Sequence, residues 1–324
     1  MYFTIEEVSL YAERIKQIPR VISDELRGWN WNEPPIVTHS EKRLGVSDIT
    51  GGLCPNGRIL YLRYIQKIKE PIQLELLRGS LIHETYTMVV EQTKHYLYYA
   101  FSSNSQDYRK TLEIDMKIFK ENNMRPKYGQ VKDFDMVYDA VVNRGINTFS
   151  SAIDRALENS RYLSKDSIAA LVVPFYVEFP IDGSLIGLHK AIRVDALIPQ
   201  IPLVVEMKTR EIKETHELAL AGYAMAYESQ YKIPVDFGLL CRVRVYNNEM
   251  RSNCELKLIS DNMRERFLEL RDKFLEILET EQDPGLPEYC EPDCPFLQFC
   301  GGKVRLKSKE VEKKKIQDKQ QIKK

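Results

Sequence analysis

Arg193-Val194-Asp195-Ala196-Leu197 and Val204-Val205-Glu206-Met207-Lys208 are the stretches on which the fold turns. Both read as apolar strands carrying an acid near one end. Residues two apart on a strand share a face, so Glu206 and Lys208 point one way and Met207 the other. An acid and a lysine at the end of an apolar strand are costly to bury unless they face a cavity or a partner. The connection at 199–202 can bring Asp195 beside Glu206. Two adjacent carboxylates favour a hard divalent cation, Mg²⁺ or Mn²⁺. Such an ion lowers the pKa of bound water, and a neighbouring lysine stabilises developing negative charge. That is phosphodiester-hydrolysis chemistry. Glu-x-Lys alone is also common in ion pairs on solvated strand faces.

The surrounding pattern is mixed α/β. Strands are expected at 171–180, 185–198 and 203–209, with a hairpin turn at Asp182-Gly183. A helix is expected over 213–231, then strands at 236–246 and 250–258 joined at Asn247-Asn248, then an amphipathic helix over 261–281. Upstream, Thr4 with Glu7 three residues later fits a capping box opening a helix over 4–17. Residues 18–50 read as irregular. A short helical stretch follows Pro55 to about Gln66, and a longer helix covers 72–99. Residues 101–168 read as a helical insertion broken near Asn122-Asn123 and Gly145. His83 lies on the 72–99 helix, four residues after Gly79. A lone helix histidine is usually structural, but a glycine there lets another segment approach, and the imidazole could complete a metal's coordination.

Cys290, Cys294 and Cys300 fall within eleven residues rich in prolines and turn formers, a metal-ligand pattern that needs a fourth ligand. Cys54, far upstream, is the candidate. Spacing alone does not separate zinc from iron–sulfur. Cys241 and Cys254 lie in expected strands and read as packing thiols. A cluster held by Cys54 and the C-terminal trio would clasp the two ends of the core and link metal binding to folding.

Net charge is zero over 324 residues, so any DNA-binding surface must be local. The strongest local bias is the tail 303–324, with ten basic residues against three acidic. It reads as a solvated end or as a phosphate- or partner-binding arm. No apolar run reaches bilayer length and the N-terminus has no signal-peptide pattern, so no membrane role and a cytoplasmic location are expected.

Taken together, Cys54, His83, Asp195, Glu206-Met207-Lys208 and Cys290/Cys294/Cys300 resemble the RecB-like iron–sulfur exonucleases associated with CRISPR. Within that family, called Cas four, they look most like the archaeal type I-A branch, Csa one. The resemblance runs from about residue 45 to 301 and is weakest over 101–168. It implies a restriction-endonuclease-like PD-(D/E)xK core with a helical insertion and a C-terminal Fe–S clasp. On that reading residues 1–100 form an N-terminal helical region, 101–168 the insertion, 169–260 the nuclease core, 261–302 the last helix and cluster segment, and 303–324 a basic tail. His83, Asp195 and Glu206, with the Met207 carbonyl, would bind Mg²⁺ or Mn²⁺. Asp195, Glu206, Lys208 and Tyr223 would be catalytic, and Cys54, Cys290, Cys294 and Cys300 would hold a [4Fe–4S] cluster. The implied activity is exonucleolytic cleavage of DNA, often at single-stranded ends, trimming new spacers alongside the CRISPR integrase; homo-oligomers are possible. Two features depart from the family: Cys290 and Cys294 are spaced C-x3-C where C-x2-C is commoner, and Ala219 stands where a glutamine usually precedes the kept Tyr223 by four residues. That leaves a second reading open, a weakly active or inactive Fe–S adaptor that binds DNA ends and the integrase.

Overall fold

Residues 176–258 form one mixed sheet built around the strand that carries Glu206 and Lys208. In the computed structural model, residues 1–300 are described except Leu53, Ile72, Ser102, Ser103, 160–162 and 292–293; beyond them only the backbone pair 305–306 is described. The basic tail therefore lies outside the described residues apart from that pair. The strands are β1 (Tyr176–Ile181), β2 (Ile192–Ile198), β3 (Leu203–Lys208), β4 (Phe237–Tyr246) and β5 (Glu249–Leu258), adjacent in that order. Pairing is antiparallel throughout except between β3 and β4, which run parallel. A parallel pair needs a crossover. Here it is the helix Leu218–Tyr231.

The helices in chain order are α1 (Ile5–Gln17), α2 (Val46–Thr50), α3 (Arg58–Leu60), α4 (Leu74–His95), α5 (Ser105–Phe119), α6 (Arg125–Tyr128), α7 (Phe134–Asn159), α8 (Lys165–Val172), α9 (Leu218–Tyr231) and α10 (Asp261–Thr280). One apolar core joins α1, α4, α5, α7 and α8 to one face of the sheet. A second joins residues 26–62, α9 and α10 to the other face. β3, central and buried on both sides, reads as an apolar run for that reason. α9 is likewise buried along almost its whole length and has no polar face.

α9 is tied to its surroundings by charge as well as by packing. Glu228, fully buried, takes two hydrogen bonds from the Arg264 guanidinium of α10, at 2.7 and 3.0 Å, and one from Arg27 at 2.8 Å. The Gly28 and Val235 amides donate to the same carboxylate. A buried ion pair is tolerable when its remaining lone pairs are satisfied in this way.

The Thr4–Glu7 capping box forms as expected. Asn247 and Asn248 adopt φ of 49° and 60°, the left-handed pair of a tight hairpin turn, so β4 and β5 meet where the sequence places them. Three expectations change. α7 runs unbroken through Gly145, because a side chain there would collide with Val89 of α4 and with Tyr2; the glycine permits a close helix crossing. Residues 171–172 end α8, so β1 starts at Tyr176. The Asp182-Gly183 turn opens a wider loop, and β2 begins only at Ile192. No helix among the described residues is long and apolar enough to cross a membrane.

Candidate metal site and cysteine corner

Asp195 sits where two strands change face together. In β2, Ile192 and Val194 pack with the α9–α10 core, whereas Ala196 and Ile198, of the same parity, pack with the α4–α7 core. β1 does the same: Val177 packs against the α4–α7 core, Phe179 and Ile181 with the α9–α10 core. The switch in β1 falls on Glu178, whose φ is 46°. A non-glycine residue held left-handed in a strand is strained, and such strain collects at functional sites. With Val177 opposite Ala196 and Phe179 opposite Val194, Glu178 stands across from Asp195.

His83 arrives from α4. Gly79, one turn earlier, lies against Thr209 just beyond β3; a Cβ there would stand 2.8 Å from the Thr209 hydroxyl oxygen. The glycine lets α4 close on the end of β3. His83 Nδ1 comes within 3.4 Å of Asp195 Oδ1. One ligand atom each from His83, Glu178 and Asp195 lies within 4.8 Å of the others. Glu178 is the member the sequence reading missed. Its signal was a lone acid in the apolar run Val177-Glu178-Phe179, but only strand register shows that it faces Asp195.

The Met207 amide donates to Asp195 Oδ2 at 2.5 Å while the Met207 side chain packs in the opposite core. Glu206 and Lys208 share a face as period two demands, with Nζ 2.5 Å from Oε1. Glu206 Oε2 is buried and meets no close hydrogen-bond donor among the described residues, although the Tyr223 hydroxyl lies near enough to interact with the Glu206 carboxylate. Such an acceptor is costly to leave unmet and invites a cation or a donor.

The charges are strongly interdependent. Burial works against ionised Asp195, yet His83, the Met207 amide and Lys208 hold its carboxyl below the usual range. Burial raises Glu206, and Asp195 adds to the shift although Lys208 opposes it. Glu178 is also raised, by burial and then by Asp195. Burial opposes the protonated forms of His83 and Lys208, but the carboxylates overcome it and raise both. The buried Tyr223 hydroxyl, pushed well up by desolvation and then by Glu206, Asp195 and Glu178, stays neutral. Ala219, one turn before it, is fully buried in the apolar core.

The cysteines form a second corner. Cys54, Cys290, Cys294 and Cys300 are not in disulfides, and the last three are buried. Cys290 is pushed up to about 11, by burial first and then by Cys300, Cys294 and Cys54 in turn, so the other three thiols all lie within its field. Arg58 donates to Cys300 Sγ at 3.5 Å. Cys241 and Cys254 are not packing thiols: they face each other across β4 and β5 and are disulfide-bonded.

His216 joins the two corners and was not singled out by sequence. The Lys213 amide donates to its Nδ1 at 3.0 Å, and its ring also bonds the Gly51 backbone, three residues before Cys54. Burial, then Lys208 and Lys213, push its pKa down to about 4.

Comparison with known proteins supplies a family. A family model described as CRISPR-associated exonuclease Csa1 matches residues 1–304. The chain is 42% identical over 301 residues to the CRISPR-associated exonuclease Csa1 of Saccharolobus solfataricus, covering 93% of this chain and 99% of that relative. It is 26% identical over 299 residues to the protein of the same name from Thermoproteus tenax, covering 92% and 99%.

Proposed function

The chain belongs to the family of the CRISPR-associated exonuclease Csa1, and from that premise we propose that it is a metal-dependent deoxyribonuclease with a PD-(D/E)xK-type centre and an iron–sulfur clasp. The observation that carries the reading is the convergence of His83, Glu178 and Asp195 within 4.8 Å, beside the Glu206–Lys208 pair. His83, Glu178 and Asp195 offer the nitrogen and oxygen donors that suit Mg²⁺ or Mn²⁺, with the buried Glu206 Oε2 a further donor and the Met207 carbonyl another. The cation would supply Lewis-acid help and a water of lowered pKa.

The protein's own groups have distinct parts. The Met207 amide and His83 orient Asp195. Lys208, kept protonated by Glu206 and Asp195, places a positive charge where negative charge develops on the phosphate. Tyr223 stays neutral and can donate a proton in a hydrogen bond to an anionic oxygen.

Four cysteines in one corner fit a group that takes thiolates, since four neighbouring sulfurs cannot all ionise without a compensating cation. We assign a [4Fe–4S] cluster to Cys54, Cys290, Cys294 and Cys300. Its expected sign is a brown anaerobic preparation; a colourless protein with stoichiometric zinc would sink the assignment.

The activity test is degradation of end-labelled single-stranded DNA with Mn²⁺. Asp195→Asn and Lys208→Ala should each lower the rate by roughly a hundredfold or more. Equal cutting by wild type and variants would remove these residues from catalysis. The family reading extends the proposal to trimming spacer ends beside the CRISPR integrase, which co-purification with the integrase tests. Ala219, apolar and fully buried at the position of the usual glutamine, favours a second reading. If cluster-loaded wild type binds DNA ends but leaves them intact with Mn²⁺, the chain is an adaptor.

A further inference from the structure

Four aromatic rings run outward from the acids of the candidate metal site. On β1, Tyr176 and Phe179 flank Glu178, with centroids 5.6 Å apart. Residues three apart on a regular strand face opposite sides. The left-handed backbone at Glu178 is what lets these two rings meet. On α9, Tyr227 and Tyr231 follow Tyr223 by one and two turns, their rings 4.5 Å apart. Phe179 joins the pairs, 6.5 Å from Tyr231. The row is thus continuous with Glu178 on one element and Tyr223 on the other.

The outer members do not serve either core. Tyr176 is 47% exposed and Tyr231 39% exposed, and neither packs into an apolar cluster. Lys94 of α4 sets its ammonium 4.6 Å over the Tyr176 ring, anchored by a hydrogen bond to the Phe175 carbonyl. A cation beside exposed, tilted rings is the combination that holds unpaired bases with their phosphates. β1 is an edge strand, and an edge can also recruit a protein strand. Here Pro180 and the left-handed Glu178 interrupt the edge, which works against strand addition.

We propose that the exposed Tyr176 and Tyr231, backed by Phe179 and by the core-buried Tyr227, form a stacking platform for unpaired bases of single-stranded DNA and lead the strand to the acids at Glu178, Asp195 and Glu206. This rests on the nuclease reading and names its substrate subsite. The platform binds by ring faces and not by hydrogen bonds, so it tolerates any base sequence and requires bases.

Binding without divalent cation tests it apart from cleavage. A fluorescein-labelled 12-nucleotide strand is titrated with full-length, cluster-loaded protein and followed by anisotropy. Tyr176→Leu and Tyr231→Leu should each weaken binding about tenfold, and the double variant by roughly a hundredfold, in line with stacking energies per base. Tyr176→Phe and Tyr231→Phe should restore near-normal affinity, and melting temperatures of the exposed variants should stay at the wild-type value. A strand with consecutive abasic sites should bind wild type as weakly as the double variant does. Wild-type affinity in the double leucine variant, or an equal loss on normal and abasic strands, overturns the platform and leaves the nuclease reading standing. A wild type that binds no single-stranded DNA overturns both.

Discussion

The acid site and the cysteine corner are built on opposite electrostatic plans. At the acid site nearly every charge already has a protein complement: His83 and the Met207 amide for Asp195, Lys208 for Glu206. In the cysteine corner the sulfurs oppose one another, and Arg58 contributes one long donor contact to Cys300. On the proposed reading, the first is a centre whose charges are largely balanced before any ion binds, and the second is a centre whose proposed cluster would supply part of the folding free energy. Loss of a residue should therefore be read in different assays: cleavage for the first, stability for the second.

The largest stability effect should come from the cysteines. Cys290→Ala or Cys294→Ala would remove one ligand of the proposed clasp between the segment after α10 and residues near Cys54. We expect loss of the cluster absorbance and a fall in melting temperature of more than about ten degrees, since a structural metal site carries folding energy outright. Asp195→Asn, by contrast, should melt close to wild type while its cleavage collapses. If a cysteine variant loses its colour yet melts normally, the clasp is not structural and the contrast between the corners fails.

His216 gives a smaller and more selective test because it belongs to both corners. Its Nδ1 accepts from the turn after β3 and its ring bonds Gly51 beside Cys54, which requires the neutral imidazole. Its folded pKa, about 4, lies below the unfolded value near 6.5. The unfolded chain therefore binds the extra proton between those values, and stability falls as pH drops from about 6.5 toward 4. His216→Gln should flatten that part of the melting profile by a few degrees. Thermal scans of the two proteins at pH 7.5, 6 and 5 check it. A wild-type slope that persists in the variant removes His216 as its source.

What sequence made legible divides along the same physical line. Features set by one element's own period were readable: the shared face of Glu206 and Lys208, the Thr4–Glu7 cap, the Asn247-Asn248 turn. Gly79 was readable as a place of close approach, though not that Thr209 would fill it. Features set by register or crossing were not. Glu178 enters the site only because β1 pairs with β2 at one alignment, and its left-handed backbone has no local signature. Gly145 looked like a break because a helix-interior glycine costs roughly 1 kcal/mol, which the α4–α7 crossing offsets. Cys54 was named from the need for a fourth ligand beside the C-terminal trio, but only the folded chain brings it close enough for Cys290 to feel it together with Cys294 and Cys300. Cys241 and Cys254 needed the β4–β5 register to be paired at all.

That pair yields the smallest expected effect. The disulfide joins residues already opposite each other, in a hairpin closed by a two-residue turn and spanning a separation of 13. A loop of that size is worth about 3 kcal/mol in the chain-entropy picture. A hairpin this local keeps some of its closure in the unfolded chain, so the real gain is smaller, on the order of 1 kcal/mol. Cys254→Ala should lower the melting temperature by only a few degrees and leave both cleavage and cluster absorbance unchanged, because the bond touches neither corner. Peptide masses under non-reducing conditions show directly whether the link is present in the purified protein. If Cys254→Ala instead bleaches the cluster, the two cysteine sets exchange ligands, and the separation between a structural corner of four and an independent pair does not hold.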